Sequence, residues 1–215
     1  MKHILCYGDS NTHGYDPVKQ GRYDYNERWP GIMQNLLGAD YRVIEEGLSG
    51  RTTVFDDPYG ILNNGKTYLT PCIRSHYPLD LVIIMLGTND MKERYNLPAC
   101  DIAKGAGIIA KMILDITAEK SSTNIPSKVL LVSPIYIGKT ITESKCGEEF
   151  GYMRAYELSR KLAPKFQKVA QSLGIEFMDA ALIIEPSEID AVHLSIDGQR
   201  ALGEAIAKRC IEILD

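Results

Sequence analysis

Leu79-Asp80-Leu81-Val82-Ile83-Ile84-Met85-Leu86-Gly87-Thr88-Asn89-Asp90 is the stretch from which the fold can be read. From Leu81 the apolar residues run on without the alternation of a half-exposed strand, and the run stops at a glycine followed by three polar residues. Such a run, rich in Val, Ile and Leu, marks a strand covered on both faces, as in a parallel sheet. It is far too short to span a bilayer. Lys128–Val132 repeats the pattern, and Ile4–Tyr7, Arg42–Glu46 and Glu176–Met178 read as three more strands.

Helical patterns fill the intervals. Trp29–Leu37 places Trp29, Ile32, Met33, Leu36 and Leu37 on one stripe, stopped by Gly38. Leu69–His76 reads as a short helix before Pro78, and Ile102–Lys120 as a longer one. Glu148–Leu173 is helical in pattern, with Pro164 expected to kink or split it. Asp197–Leu214 closes the chain, with Asp197 as the expected N-cap. Strands alternating with helices imply right-handed crossovers and a three-layer α/β/α sandwich. No repeat or linker divides the sequence, so one domain over residues 1–215 is expected.

Composition narrows the function. The chain is 45% hydrophobic and 24% charged, ordinary for a globular protein. A net charge of −4 without basic runs argues against nucleic acid or an anionic membrane as partner. The first residues have too short an apolar region for a secretion signal. The five cysteines are scattered and contain no C-x-x-C pair, which suits reduced thiols, so the cytoplasm is the expected location. Four dispersed histidines without carboxylates at ligand spacing argue against a catalytic metal. His76, ending its helix, is expected to favour the C-terminal dipole, and Trp29 to lie in the core or an interface.

Two long loops, residues 11–28 and 50–66, follow strand ends, on the edge where open α/β sheets bind ligands. The polar residues after the strands are Gly8-Asp9-Ser10, Gly47-Leu48-Ser49-Gly50, Gly87-Thr88-Asn89-Asp90 and Asp190-Ala191-Val192-His193. Each has a plain reading alone: Ser10 as a helix N-cap, Asp9 as a turn residue, Gly50 as a positive-φ turn, Asn89 as an Asx turn, His193 as a surface histidine. In a parallel sheet, however, all of these loops converge on one edge, where they supply the parts of an acyl-transfer site. Ser10 is then the nucleophile, His193 its base and Asp190 the acceptor that orients the imidazole. The Ser10 and Gly50 N–H groups and the Asn89 amide are the candidate oxyanion donors.

These four blocks, in this order, resemble the SGNH hydrolases, also called GDSL esterases and lipases. Ile44-Glu45-Glu46-Gly47-Leu48-Ser49-Gly50-Arg51-Thr52-Thr53 and Asp56-Asp57-Pro58 are similar to the bacterial arylesterase and acyltransferase branch. The resemblance implies a flavodoxin-like five-stranded parallel sheet of order 2-1-3-4-5 and no cofactor. It also implies Ser10, Asp190 and His193 as the catalytic residues and Ser10, Gly50 and Asn89 as the oxyanion hole. Many relatives of that branch form oligomers, so a homo-oligomer is an expectation here. Asn11 stands where the branch more often has Leu, and Tyr15 where it has Trp. Asp9, Asn11, His13 and Tyr15 are assigned to the substrate pocket.

The expected activity is hydrolysis, or transesterification, of short-chain acyl or aryl esters through an acyl-Ser10 intermediate. A carbohydrate O-acetyl esterase would share every catalytic residue. A non-catalytic flavodoxin-like module, binding an anion at Ser10-Asn11-Thr12, leaves Asn89, Asp190 and His193 without a role.

Overall fold

The computed structural model describes residues 1–215. In chain order the strands are β1 (Lys2–Gly8), β2 (Tyr15–Asp16), β3 (Gly21–Arg22), β4 (Tyr41–Gly47), β5 (Leu81–Met85), β6 (Lys128–Ser133) and β7 (Glu176–Asp179). Five of them form a parallel sheet in the order β4-β1-β5-β6-β7, the 2-1-3-4-5 order of the five long strands. β2 and β3 pair antiparallel as a small hairpin inside the first long loop, too short to leave a period in the sequence. The helices are α1 (Ser10–His13), α2 (Trp29–Leu37), α3 (Gly65–His76), α4 (Ala99–Lys120), α5 (Gly147–Phe150), α6 (Met153–Ser159), α7 (Leu162–Leu173) and α8 (Ile196–Leu214).

The absence of alternation in Leu81–Leu86 has a direct cause. Leu81, Ile83 and Met85 join Ile4, Cys6, Leu130 and Val132 in a core shared with Trp29, Met33, Leu202 and Ile206 of α2 and α8. Val82, Ile84 and Leu86 point the other way, into a second core with Leu5, Leu69, Ile109 and Phe166 from β1, α3, α4 and α7. Both faces are dry, so every position is apolar. Burying each such aliphatic side chain stabilises the fold by about 1.5–3 kcal/mol. Trp29 is fully buried in the first core.

Three helix expectations need correction. α3 begins before Leu69, because the Asn64 side chain caps it by accepting from Lys66 N–H at 2.9 Å. The segment 148–173 is broken twice, into α5, α6 and α7. The break between α6 and α7 is the split expected of Pro164, which lies in the first turn of α7 and has no N–H to continue the ladder back to Arg160. The unexpected break, between α5 and α6, falls at Gly151 (φ 69°) and Tyr152 (φ 50°). The α8 cap is Ser195, whose Oγ accepts from Gly198 N–H at 3.1 Å, with Asp197 inside the first turn. No helix is long and apolar enough to cross a membrane.

Candidate active site

Register sets the edge. Gly8 of β1 lies opposite Gly47 of β4 and Met85 of β5, and Met85 lies opposite Val132 of β6, so the loops after these strands leave the sheet together. The turn after β1 packs tightly on this edge. A Cβ at Gly47 would sit 2.2 Å from the His13 nitrogen, which leaves glycine as the residue that fits. Asp9 caps α1 by accepting from Asn11 N–H at 3.0 Å, and Ser10 is the first residue of that helix.

The Ser10 Oγ lies 2.9 Å from His193 Nε2, and His193 Nδ1 lies 2.6 Å from Asp190 Oδ2. The other Asp190 oxygen accepts from Val192 N–H (3.0 Å) and His193 N–H (2.9 Å), so the carboxylate is held at both ends. Burial alone would raise the Asp190 pKa, but the His193 hydrogen bond and charge, with the two backbone donors, hold it below the usual carboxylate range. A carboxylate facing Nδ1 keeps the proton on that nitrogen and leaves Nε2 free to accept from Ser10. Ala191, between the two, has φ 63°, an uncommon conformation for a residue with a Cβ. Loop bonds hold it there: Gly138 N–H donates to Ala191 O at 2.8 Å, and Ser144 Oγ donates to Asp190 O at 2.7 Å.

Gly50 adopts φ 84° after β4, and its N–H donates to no protein acceptor. Asn89 Nδ2 donates to Arg51 O at 3.0 Å, which orients the amide and leaves its second hydrogen for the cleft. Arg51 itself is buried: its guanidinium donates to Gly8 O at 2.9 Å and to Glu46 O, and stacks 4.2 Å from the Tyr7 ring. It ties the ends of β1 and β4 beneath the Gly50 turn. Arg51 stands in the block similar to the arylesterase branch without a role there, because its partner Gly8 lies 43 residues away in the chain.

Ser10, Gly50, Asn89 and His193 line one cleft of about 170 Å³, walled by Tyr15, Cys146, Phe150 and Val192. The Tyr15 ring lies 4.4 Å from the His193 ring. Lys92 and Glu149 close one side as an ion pair of 3.0 Å, and Arg94 adds a bond of 2.6 Å to Glu149. Burial would raise the Glu149 pKa, but these two cations lower it on balance, so the rim carries paired charge. Of the four residues assigned to the pocket, only Tyr15 lines it. Asp9 and Asn11 are 1% and 3% exposed: Asp9 turns onto Asn11 N–H as the cap of α1, and Asn11 bonds Val192 and Leu194 of the loop that carries His193. His13 is half-buried at the end of α1, where burial and then the charge of Arg22 lower its pKa. Cys146 and Phe150 come from a segment with no strand-end motif, and Lys92, two residues beyond Asp90, was not assigned to the pocket.

Glu46, Cys72 and His76 form the group whose ligating atoms lie within 4.8 Å of one another. His76, expected only to serve the helix dipole, closes a 2.8 Å pair with Glu46. Burial, then the Glu46 charge, push the Cys72 thiol up to about 12.

Two buried carboxyls lie behind the site. Burial pushes Asp9 up to about 6 and Asp90 up to about 7, even though Asp90 accepts from Thr53 N–H and its hydroxyl. A carboxyl raised in the folded state holds its proton more tightly there than when unfolded. Its stabilisation is therefore full below about pH 4 and is lost as pH rises through about 6 to 7. Asp90→Asn is expected to flatten that part of the stability profile, measured by urea unfolding from pH 4 to 8. An unchanged slope would show that Asp90 ionises normally.

An open parallel sheet with a hydrogen-bonded serine, histidine and aspartate at its carboxyl edge has the layout of a serine hydrolase. The chain belongs to the GDSL-like lipase/acylhydrolase family, which it matches over residues 6–201. It is accordingly a carboxylic ester hydrolase. Among solved structures, the aryl esterase of M. smegmatis is 37% identical, with a TM-score of 0.92 and 100% of both chains covered. A carbohydrate acetylesterase from Sinorhizobium meliloti is 38% identical, with a TM-score of 0.90, covering 99% of this chain and 100% of that one. A carbohydrate acetylesterase family member from the same organism is 34% identical, with a TM-score of 0.90, covering 100% and 99%. No curated protein matches the chain.

Proposed function

We propose that the protein hydrolyses short-chain acyl or aryl esters through an acyl-Ser10 intermediate. The observation that carries the reading is the unbroken chain from Ser10 Oγ through His193 to the buried Asp190, at 2.9 and 2.6 Å. His193 Nε2 takes the Ser10 proton as Oγ attacks the ester carbonyl. The oxyanion is received by the Ser10 and Gly50 N–H groups and the Asn89 amide, donors worth about 3 kcal/mol each in such sites. Asp190 stabilises the imidazolium. Collapse of the intermediate expels the alcohol, which takes the proton from His193. Water, or a second alcohol, then enters by the same steps in reverse and frees Ser10.

Size favours a small acyl group. The cleft of about 170 Å³ lies below the roughly 300 Å³ where ligand pockets usually begin. Its walls are closed by Phe150 and by the Lys92–Glu149 pair. With p-nitrophenyl esters, kcat/KM is expected to fall at least about tenfold between acetate and decanoate. Equal or faster turnover of the decanoate would refute the small-acyl assignment.

A carbohydrate O-acetyl esterase is the second reading, favoured by the polar Lys92–Glu149 rim and by the relatives from Sinorhizobium meliloti. Acetate release from acetylated xylose or glucosamine, set against p-nitrophenyl acetate, separates the two. Clear preference for the sugar esters would replace the aryl-ester assignment while leaving the chemistry unchanged.

A further inference from the structure

The side chain that follows Ser10 lines no part of the cleft, yet it grips both neighbours of His193. Asn11 Nδ2 donates to Val192 O at 3.3 Å, and Asn11 Oδ1 accepts from Leu194 N–H at 3.0 Å. One amide thus supplies a donor to the peptide before His193 and an acceptor to the peptide after it. Leucine supplies neither, and aspartate only the acceptor. Asn11 is held in turn by the fully buried Gln199 of α8, whose Nε2 donates to Asn11 O at 3.2 Å while its Oε1 accepts from Trp29 N–H at 2.9 Å.

The remaining anchors of this loop run elsewhere. Ser187 N–H donates to His193 O at 2.7 Å within the loop, the Gly138 and Ser144 bonds fasten it to the segment after β6, and the Tyr23 hydroxyl donates to Leu194 O at 3.4 Å from the segment after β3. Besides the Ser10–His193 contact itself, the Asn11 bonds are the hydrogen bonds that join the loop to α1. The loop also contains Ala191 at φ 63°, so its shape depends on what surrounds it.

We propose that Asn11 is a positioning residue that sets the distance between Ser10 Oγ and His193 Nε2 by clamping the His193 loop to the nucleophile turn, with Gln199 holding the clamp. The proposal rests on the acyl-Ser10 reading. Its consequence falls on the chemical step, because slack of an ångström at a nucleophile–base contact costs about a hundredfold in rate. The cleft walls do not involve Asn11, so substrate binding is preserved.

The test compares the unsubstituted protein with Asn11→Leu, Asn11→Asp and Gln199→Leu on p-nitrophenyl acetate, with working sites counted by fluorophosphonate titration. Asn11→Leu is expected to lower kcat per titrated site by about 10- to 100-fold with KM held within about twofold. Asn11→Asp, which keeps the Leu194 contact, is expected to lose less, and its folding is checked by circular dichroism. Gln199→Leu is expected to lose less than Asn11→Leu. Unchanged kcat per site in folded Asn11→Leu and Asn11→Asp overturns the proposal. So does a loss confined to KM or to the number of titratable sites, which is what a merely structural role produces. Failure of the underlying reading looks different: the unsubstituted protein would then take no label on Ser10.

Discussion

Ser10→Ala is expected to lower kcat on p-nitrophenyl acetate by on the order of a million-fold and to abolish the fluorophosphonate adduct. The magnitude follows from the lack of a substitute. Ser49 also lines the cleft, but His193 Nε2 makes its hydrogen bond with Ser10 alone. The oxyanion donors would remain, so a residual rate above that of water is expected, with KM little altered. The check is a kinetic comparison paired with mass-spectrometric location of the adduct. Substantial activity in the variant, or an adduct elsewhere in the unsubstituted protein, would remove Ser10 from the mechanism.

Asp190→Asn is expected to cost about ten-thousandfold in kcat while leaving KM nearly constant. An amide in place of the carboxylate presents N–H to His193 Nδ1, which drives the proton to Nε2 and stops it from accepting the Ser10 proton. The same substitution carries a stability signature opposite to that of Asp9 and Asp90. A carboxyl held below its ordinary value contributes stability above about pH 4, and that contribution is lost as pH falls through its folded value. Asp190→Asn should therefore show a smaller loss of stability on acidification than the unsubstituted protein. A kcat within tenfold of normal would leave Asp190 with a structural role only.

The strands and most helices could be read locally. Leu81–Leu86 reports burial on both faces, and the Trp29–Leu37 stripe gives α2 its observed bounds. Errors gathered at helix ends. Pro164 marked the break before α7, but the further break at Gly151 and Tyr152 carries no proline and was not expected. Asp197 suits a cap as well as Ser195 does, and only the backbone shows that α8 begins at Ile196. In the site, Ser10, Gly50, Asn89, Asp190 and His193 were identifiable because each follows a strand end. Arg51, Phe150, Lys92 and Gln199 were not, since their importance comes from partners remote in the chain.

By itself the sequence determined the parallel sheet, the edge at which its loops meet and the residue types assembled there. Periodicity and strand-end placement are local properties, and a parallel sheet converts them into shared position. Only the tertiary structure decided the direction in which the nucleophile turn presents its side chains. Asn11 reads as a pocket residue in isolation. It turns inward because α8, packed on α2, brings Gln199 beneath it, while the loop carrying Val192 and Leu194, some 181 residues away, offers one acceptor and one donor at the spacing of a single amide.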